Sequence, residues 1–265
     1  MRRVALLLGA LILTAPLAAQ TPTPTPAPTP AQTSKAAPGP YPTQAMMDAA
    51  FNAPDRDAGV RFRDTQRETV QVMRLSQVKP GDRVLDIGAS GGYMTVLFSS
   101  LVGEAGHVDA HNSPNWIAQL PGTAPEELQK RIHRKNIAYI TTEFDAITGA
   151  DNAYDVMIMA QVYHDTPLYP IDRPKMDANL FRLLKPGGRL IISDHAALPG
   201  TGATEAGPKH RIEKAYVIEE VTAAGFVVET SEDIDMPDTR VLSVFNPAVR
   251  GRTDRFIISF RKPAN

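Results

Sequence analysis

The sequence predicts an α/β domain built on a mostly parallel sheet of seven strands, and three observations carry that prediction. Short apolar runs of strand length alternate, between residues 84 and 260, with segments whose apolar residues recur at helical spacing. The first run ends in a glycine-rich turn, Gly88-Ala89-Ser90-Gly91-Gly92, that opens directly into a helical pattern. A second turn, Lys185-Pro186-Gly187-Gly188, stops a helix just before the fifth strand.

The elements follow in order. Thr65-x-x-Glu68 has the form of a capping box and predicts a helix over Val72, Met73 and Leu75. Residues 84–87 form the first strand. Met94, Leu97, Phe98 and Leu101 then recur at i, i+3, i+4 and i+7, one face of a helix. Residues 106–110 and 138–142 read as the second and third strands, and 154–160, with Val156, Ile158 and Met159, as a buried fourth. Met176, Leu180, Leu183 and Leu184 mark the next helix, and residues 189–193 the fifth strand. Residues 213–224 are helical up to Gly225, and 226–230 and 255–260 are the last two strands. Ligands of such sheets sit beyond the carboxyl ends of the strands, near the point where strand order reverses.

Ahead of the domain, Arg2 and Arg3 precede an apolar run over residues 4–17 and the small residues Ala18-Ala19. That is the layout of a signal peptide over residues 1–20, and it implies export to the periplasm. The run falls short of the ~20 apolar residues that span a bilayer, so no stable membrane insertion is expected after cleavage; an uncleaved anchor is the alternative. Residues 21–42 repeat Thr-Pro and read as an extended linker, leaving 43–265 as the folded domain. Residues 1–42 hold three basic residues and no acidic one, so the remainder carries a small acidic excess. With no basic stripe, that balance argues against a nucleic-acid partner. The chain has no cysteine, which excludes a disulfide framework and a thiolate zinc site.

Three ligand classes use a glycine turn between a strand and a helix, and spacing separates them. A dinucleotide loop, G-x-G-x-x-G, would need glycines where Ser90 and Tyr93 stand. The nucleophile elbow of a serine hydrolase, G-x-S-x-G, is matched with Ser90 as nucleophile, but it leaves Asp86 unexplained and follows too little chain for an oxyanion loop. The third class is an acidic residue followed by G-x-G-x-G.

In that third pattern, Asp86, Gly88, Ser90 and Gly92 resemble motif I of class I S-adenosylmethionine (SAM) methyltransferases, with Ser90 in place of the middle glycine. The resemblance extends over residues 65–262. Val78-Lys79-Pro80-Gly81-Asp82 is similar to the turn into strand one, Phe144-Asp145-Ala146 and Tyr154-Asp155-Val156 to the pair around strands three and four, and Leu183-Leu184-Lys185-Pro186-Gly187-Gly188 to the turn before strand five. A narrower likeness, to a bacterial group of predicted exported methyltransferases, rests on Asp194-His195, His210-Arg211-Ile212 and residues 244–255. The resemblance implies a Rossmann-like sheet with an antiparallel last strand, SAM as cofactor, and cofactor contacts from Asp86, Gly88, Ser90, Gly92, Asn112, Asp145 and Gln161. Asp86 would support the methionine end and Asp145 the adenine amino group. Asn112 stands where the family usually places the carboxylate that grips the ribose. Trp116 would pack on the adenine or cover the core edge.

Tyr163-His164-Asp165 follows strand four, Asp194-His195 follows strand five, and His210-Arg211 is expected to begin the next helix. This topology brings the three segments to one end of the sheet. Methyl transfer needs an aligned acceptor and often a base, so His164, Asp165, His195 and His210 are the expected catalytic residues. Asp165 and Asp194 resemble the carboxylates that hold an ion in metal-dependent methyltransferases, but no metal ligand is assigned. The function expected is methyl transfer from SAM to a small molecule. The alternatives are an exported binding protein that keeps the fold without transfer, and the serine hydrolase.

Overall fold

Neighbouring residues Val84 and Leu85 are both fully buried, but they pack into different hydrophobic clusters. This is the signature of a strand covered by helices on both faces. The computed structural model describes residues 41–64, 68–234 and 238–264. The expected signal peptide, the expected linker up to residue 40, and Thr65 of the capping box lie outside the described residues.

In chain order the elements are α1 (Gln44–Phe51), α2 (Ala58–Arg61), α3 (Thr69–Ser76), β1 (Arg83–Ile87), α4 (Tyr93–Val102), β2 (His107–His111), α5 (Pro114–Gln119), α6 (Pro125–Arg131), β3 (Ile137–Ile140), β4 (Tyr154–Ala160), α7 (Arg173–Leu183), β5 (Leu184–His195), α8 (Ala206–Lys209), α9 (Lys214–Ala223), β6 (Val227–Ile234) and β7 (Arg255–Arg261). The seven strands form one sheet in the order β3-β2-β1-β4-β5-β7-β6. β7 runs antiparallel to both neighbours, and the pairs from β3 to β5 are parallel. The seven-stranded α/β sheet with an antiparallel last strand is therefore present. Strand order reverses between β1 and β4, which opens a crevice at their carboxyl ends.

One face of the sheet packs Val84, Val108, Val156 and Ile158 against Met47 of α1, Met73 of α3 and Leu97, Phe98 and Leu101 of α4. The other packs Leu85, Met157, Met159 and Ile192 against Leu180 and Leu183 of α7 and Val217 and Val221 of α9. The helical spacing in α4 and α7 is thus a packing signal, as expected. Among the described residues no helix is long and apolar enough to cross a membrane.

Three local expectations are corrected. Glu68 stands before the helix rather than in its first turn. It is the N-cap of α3 with φ 44° and no side-chain cap bond, and its carboxylate pairs with Arg255 on β7 at 2.5 Å. α7 passes into β5 at Leu184 rather than after Gly188. Leu184 pairs with Tyr154, and the Gly187 amide donates to the Lys262 carbonyl at 2.8 Å, so the end of β7 holds the turn in the sheet. His210 does not start a helix. It caps the carboxyl end of α8 in the left-handed region, φ 54°.

Candidate active site

The loop after β1 takes left-handed backbone at every second residue: Gly88 at φ 67°, Ser90 at φ 52° and Gly92 at φ 80°. The three positions of an acid-G-x-G-x-G motif are therefore the three that disfavour a Cβ. Ser90 bears that strain between two hydrogen bonds to one side chain. Its amide donates to Asn112 Oδ1 at 2.7 Å, and Asn112 Nδ2 donates to its carbonyl at 3.1 Å. Asn112 Nδ2 also reaches the Thr123 carbonyl at 2.9 Å. The Asn112 amide, expected at the ribose, is thus occupied in holding the loop. Asp86 is buried behind the loop and accepts from Thr95 Oγ1 at 2.6 Å.

Trp116 lies over this loop because Ser113 caps α5, accepting the Trp116 amide at 3.1 Å, with Pro114 in the first turn. A Cβ on Gly88 would stand 2.3 Å from Trp116 Cζ3 and 2.6 Å from Val162 Cγ1. The crevice, lined by Asp86, Gly88, Ser90, Trp116 and Gln161 among others, therefore measures only about 80 Å³. Gln161, itself at φ 58°, closes its other side at the end of β4. Asp145 is not at the crevice. On the short 3₁₀ turn Phe144–Ala146, it accepts from the Asp172 amide at 3.3 Å and lies 3.4 Å from Lys175 Nζ. Two residues earlier, Glu143 accepts from Asn115 on α5 at 3.0 Å through Oε1, and its Oε2 is buried without a partner. His111 Nδ1 and Thr142 Oγ1, at the ends of β2 and β3, are likewise buried and unpartnered.

Burial alone holds the His111 imidazole neutral, with its pKa lowered to about 4 although it hydrogen-bonds the Thr142 carbonyl. The unfolded chain takes up this proton near pH 6.5 and the folded chain only near pH 4. Stability is therefore full above pH 6.5 and falls between those values, by up to roughly 3 kcal/mol. Denaturant titrations at pH 7 and pH 4.5 should show that loss, and His111→Asn should remove most of it. An equal pH dependence in the variant would assign the effect elsewhere.

The histidine cluster does converge. The His164 ring lies 5.0 Å from that of His210 and 5.7 Å from that of His195. His164 is buried with Nδ1 2.6 Å from Asp194 Oδ1, and its amide donates to Asp194 Oδ2 at 2.8 Å. Burial opposes the charged imidazole, but the Asp194 and Asp165 carboxylates raise its pKa. Burial also pushes the Asp165 carboxyl up to about 6. His195 is held by Thr253 Oγ1, 2.8 Å from its Nδ1. It faces a cavity of about 250 Å³ with Phe62, Arg63, Gln161, Phe245 and Arg250. Gln161 and Arg63 line both this cavity and the glycine crevice, so the two adjoin. No described hydrogen bond joins Ser90 to a histidine, so the elbow lacks the base that a serine nucleophile needs.

Sequence reasoning missed Arg211 as an organiser. It is fully buried, and its guanidinium bonds the carbonyls of Ala196, Thr239, Leu242 and Asp254, tying down the segment that carries Val244, Phe245, Arg250 and Thr253.

The profile of the family described as Protein-L-isoaspartate(D-aspartate) O-methyltransferase (PCMT) matches residues 41–198. The chain belongs to this family. This places it among the class I SAM-dependent methyltransferases, whose cofactor is SAM. The ubiquinone/menaquinone biosynthesis C-methyltransferase UbiE of Vibrio cholerae is 31% identical over 120 residues, 44% of this chain and 42% of that protein. UbiE of Pseudoalteromonas translucida is 30% identical over 150 residues, 55% of this chain and 52% of that one. The chain thus spans about half the length of these curated relatives or less. A SAM-dependent methyltransferase from Aquifex aeolicus superposes with a TM-score of 0.56 at 20% identity, covering 75% of this chain and 92% of that chain. The [4+2]-cyclase SpnF superposes at 0.54 and 18%, covering 76% and 82%. At these identities the likeness shows the fold alone. The residues of this methyltransferase fit the cofactor at the glycine loop, at buried Asp86 and at the unpartnered polar atoms beside Glu143. At about 80 Å³ the crevice beside Gly88 is smaller than a ligand pocket of about 300–1,000 Å³, and the Trp116 ring covers Gly88.

Proposed function

We propose that this chain transfers a methyl group from SAM to a small molecule held in the cavity faced by His195. The observation that carries the reading is the shared wall: Gln161 and Arg63 line both the glycine crevice and the histidine cavity. Bound SAM supplies an electrophilic methyl on a sulfonium. The chain's own residues do the rest. Asp86 and the loop from Gly88 to Gly92 orient the methionine end, and Glu143 takes a donor from the adenosine end. His195, oriented by Thr253, accepts the proton of the acceptor. The apolar rings of Phe62 and Phe245, with Arg63 and Arg250, suit a flat acceptor that carries an ionisable oxygen. The C-methyltransferase relatives favour a carbon beside that oxygen as the methyl acceptor.

Calorimetry with SAM tests the reading. Binding should weaken at least tenfold in Asp86→Ala, ~1.4 kcal/mol, and no binding by the unaltered chain at millimolar SAM would end it. Tritiated SAM offered with a panel of phenols and quinols should then label an acceptor. His195→Ala should slow that labelling by about 10²–10⁴ while leaving SAM affinity within twofold. Labelling at an unchanged rate would remove His195 as the base.

Trp116 favours a second reading, a chain that keeps the fold without transfer, because its ring covers Gly88. The two readings separate in one titration. Trp116 is the only tryptophan in the chain, so SAM binding that displaces it should change the intrinsic emission. Calorimetric binding with unchanged emission would show that the indole stays in place. The export expected from residues 1–20 belongs to the same proposal. Amino-terminal sequencing of periplasmic protein should find those residues removed, and retention of Met1 in the cytosol would overturn it.

A further inference from the structure

We propose that His164, Asp165 and His210 bind one divalent transition-metal ion, with zinc the first candidate. One ligand atom from each residue lies within 4.8 Å of the other two. His164 Nε2 and Asp165 Oδ1 are 3.4 Å apart, and His210 Nε2 and the same Oδ1 are 3.5 Å apart. Neither separation is a hydrogen bond, because an N–H donor and a carboxylate oxygen meet at about 2.7–3.2 Å. Both match two ligands on a shared ion. With metal–ligand bonds of about 2.0–2.2 Å and tetrahedral angles, neighbouring ligand atoms stand about 3.4 Å apart.

The surroundings are those of a prepared ligand set. His164 Nδ1 is 2.6 Å from Asp194 Oδ1, and Asp194 is fixed in turn by the amides of His164 at 2.8 Å and His195 at 2.7 Å. A carboxylate on one ring nitrogen selects the tautomer whose other nitrogen carries a lone pair, and here that nitrogen, Nε2, is the one nearest Asp165. His210 is delivered from a separate segment, at the left-handed end of α8, with its ring 4.6 Å from that of Phe245.

The donor set selects the ion. Two imidazoles and one carboxylate disfavour magnesium and calcium, which take oxygen ligands, and suit zinc, iron(II), cobalt or nickel. Three protein ligands leave a coordination position open, as in catalytic rather than structural sites. Asp194, which resembles a metal-holding carboxylate by its place after strand five, is not a ligand in this site but the residue that positions His164.

The test needs neither SAM nor an acceptor, so its failure and that of the methyl-transfer reading are distinguishable. The untagged full chain is stripped with a chelator and titrated with Zn²⁺ alone. One equivalent should bind at micromolar Kd or tighter. His210→Ala and Asp165→Asn should each weaken binding at least a hundredfold, and Asp194→Asn by about 10–100-fold. His133→Ala, at an exposed histidine, should change nothing. X-ray absorption of the wild-type zinc complex should report two imidazoles with oxygen ligands, which keeps the test decisive if a variant fails to fold. No binding at millimolar Zn²⁺, an unchanged Kd in His210→Ala, or a coordination shell without two imidazoles would overturn the site.

Discussion

Arg211→Lys should lower the unfolding free energy by about 3 kcal/mol, because one ammonium cannot replace a guanidinium that serves four carbonyls at once. Arg211 Nε donates to the Leu242 carbonyl at 2.9 Å, Nη1 to Ala196 at 2.9 Å and Asp254 at 3.4 Å, and Nη2 to Thr239 at 3.0 Å. The side chain is fully buried, so carbonyls left behind by lysine have no ready water. Each orphaned buried acceptor costs about 1–3 kcal/mol. For a domain of this size that corresponds to a melting point lower by roughly 6–12 °C. The loss should be local as well as global. Arg211 ties Thr239 and Leu242 to the strand end at Ala196, and the chain between Thr239 and Asp254 carries Val244, Phe245, Arg250 and Thr253 of the acceptor cavity. Limited proteolysis of the lysine variant below its melting point should cut first within residues 240–252. A melting point within about two degrees of wild type, with the same cleavage pattern, would show that other donors serve those carbonyls.

The contrast with the rest of the fold shows what a sequence exposes. β1, α4 and β4 were legible because burial on one or two faces imposes a period, and the period survives in the residues themselves. α5 and α6 carry little periodicity in six and seven residues, although Ser113-Pro114 is a readable start signal. The histidine cluster was legible for a topological reason: consecutive parallel strands deliver whatever follows them to one end of the sheet. The direction of each side chain was not. Asp145 and Glu143 are two residues apart at the start of a single-turn helix, and only the turn decides that Asp145 meets Lys175 while Glu143 stays buried beside α5. The role of Arg211 left no local signal, because its four carbonyl partners come from three distant segments that no local pattern links.

Asn112→Asp should be as damaging as the loss of Arg211, although it restores the residue type usual at the end of strand two. The Asn112 amide donates to the carbonyls of Ser90 and Thr123 at 3.1 and 2.9 Å, and it accepts the Ser90 amide at 2.7 Å. A carboxylate keeps only the last of these. It turns an anionic oxygen toward two carbonyls, one buried and one partly so, which should cost about 2–4 kcal/mol. Part of that cost belongs to Ser90. Its left-handed backbone, φ 52°, costs a side-chain-bearing residue about 1–2 kcal/mol, which the amide bracket offsets. Ser90→Gly removes the strain but adds freedom to the unfolded chain, so alone it should change stability by less than about 1 kcal/mol. In the Ser90→Gly background, Asn112→Asp should then cost less than in wild type, by about 0.5–2 kcal/mol of coupling. Denaturant titrations of wild type, the two single variants and the double variant give that cycle directly. SAM calorimetry on the same set shows what the bracket means for the site: the Asn112→Asp protein should bind SAM more weakly, and the double variant should recover part of the loss. Additive stabilities, or tighter SAM binding by Asn112→Asp alone, would mean that position 112 faces the ribose after all and that the bracket around Ser90 is incidental.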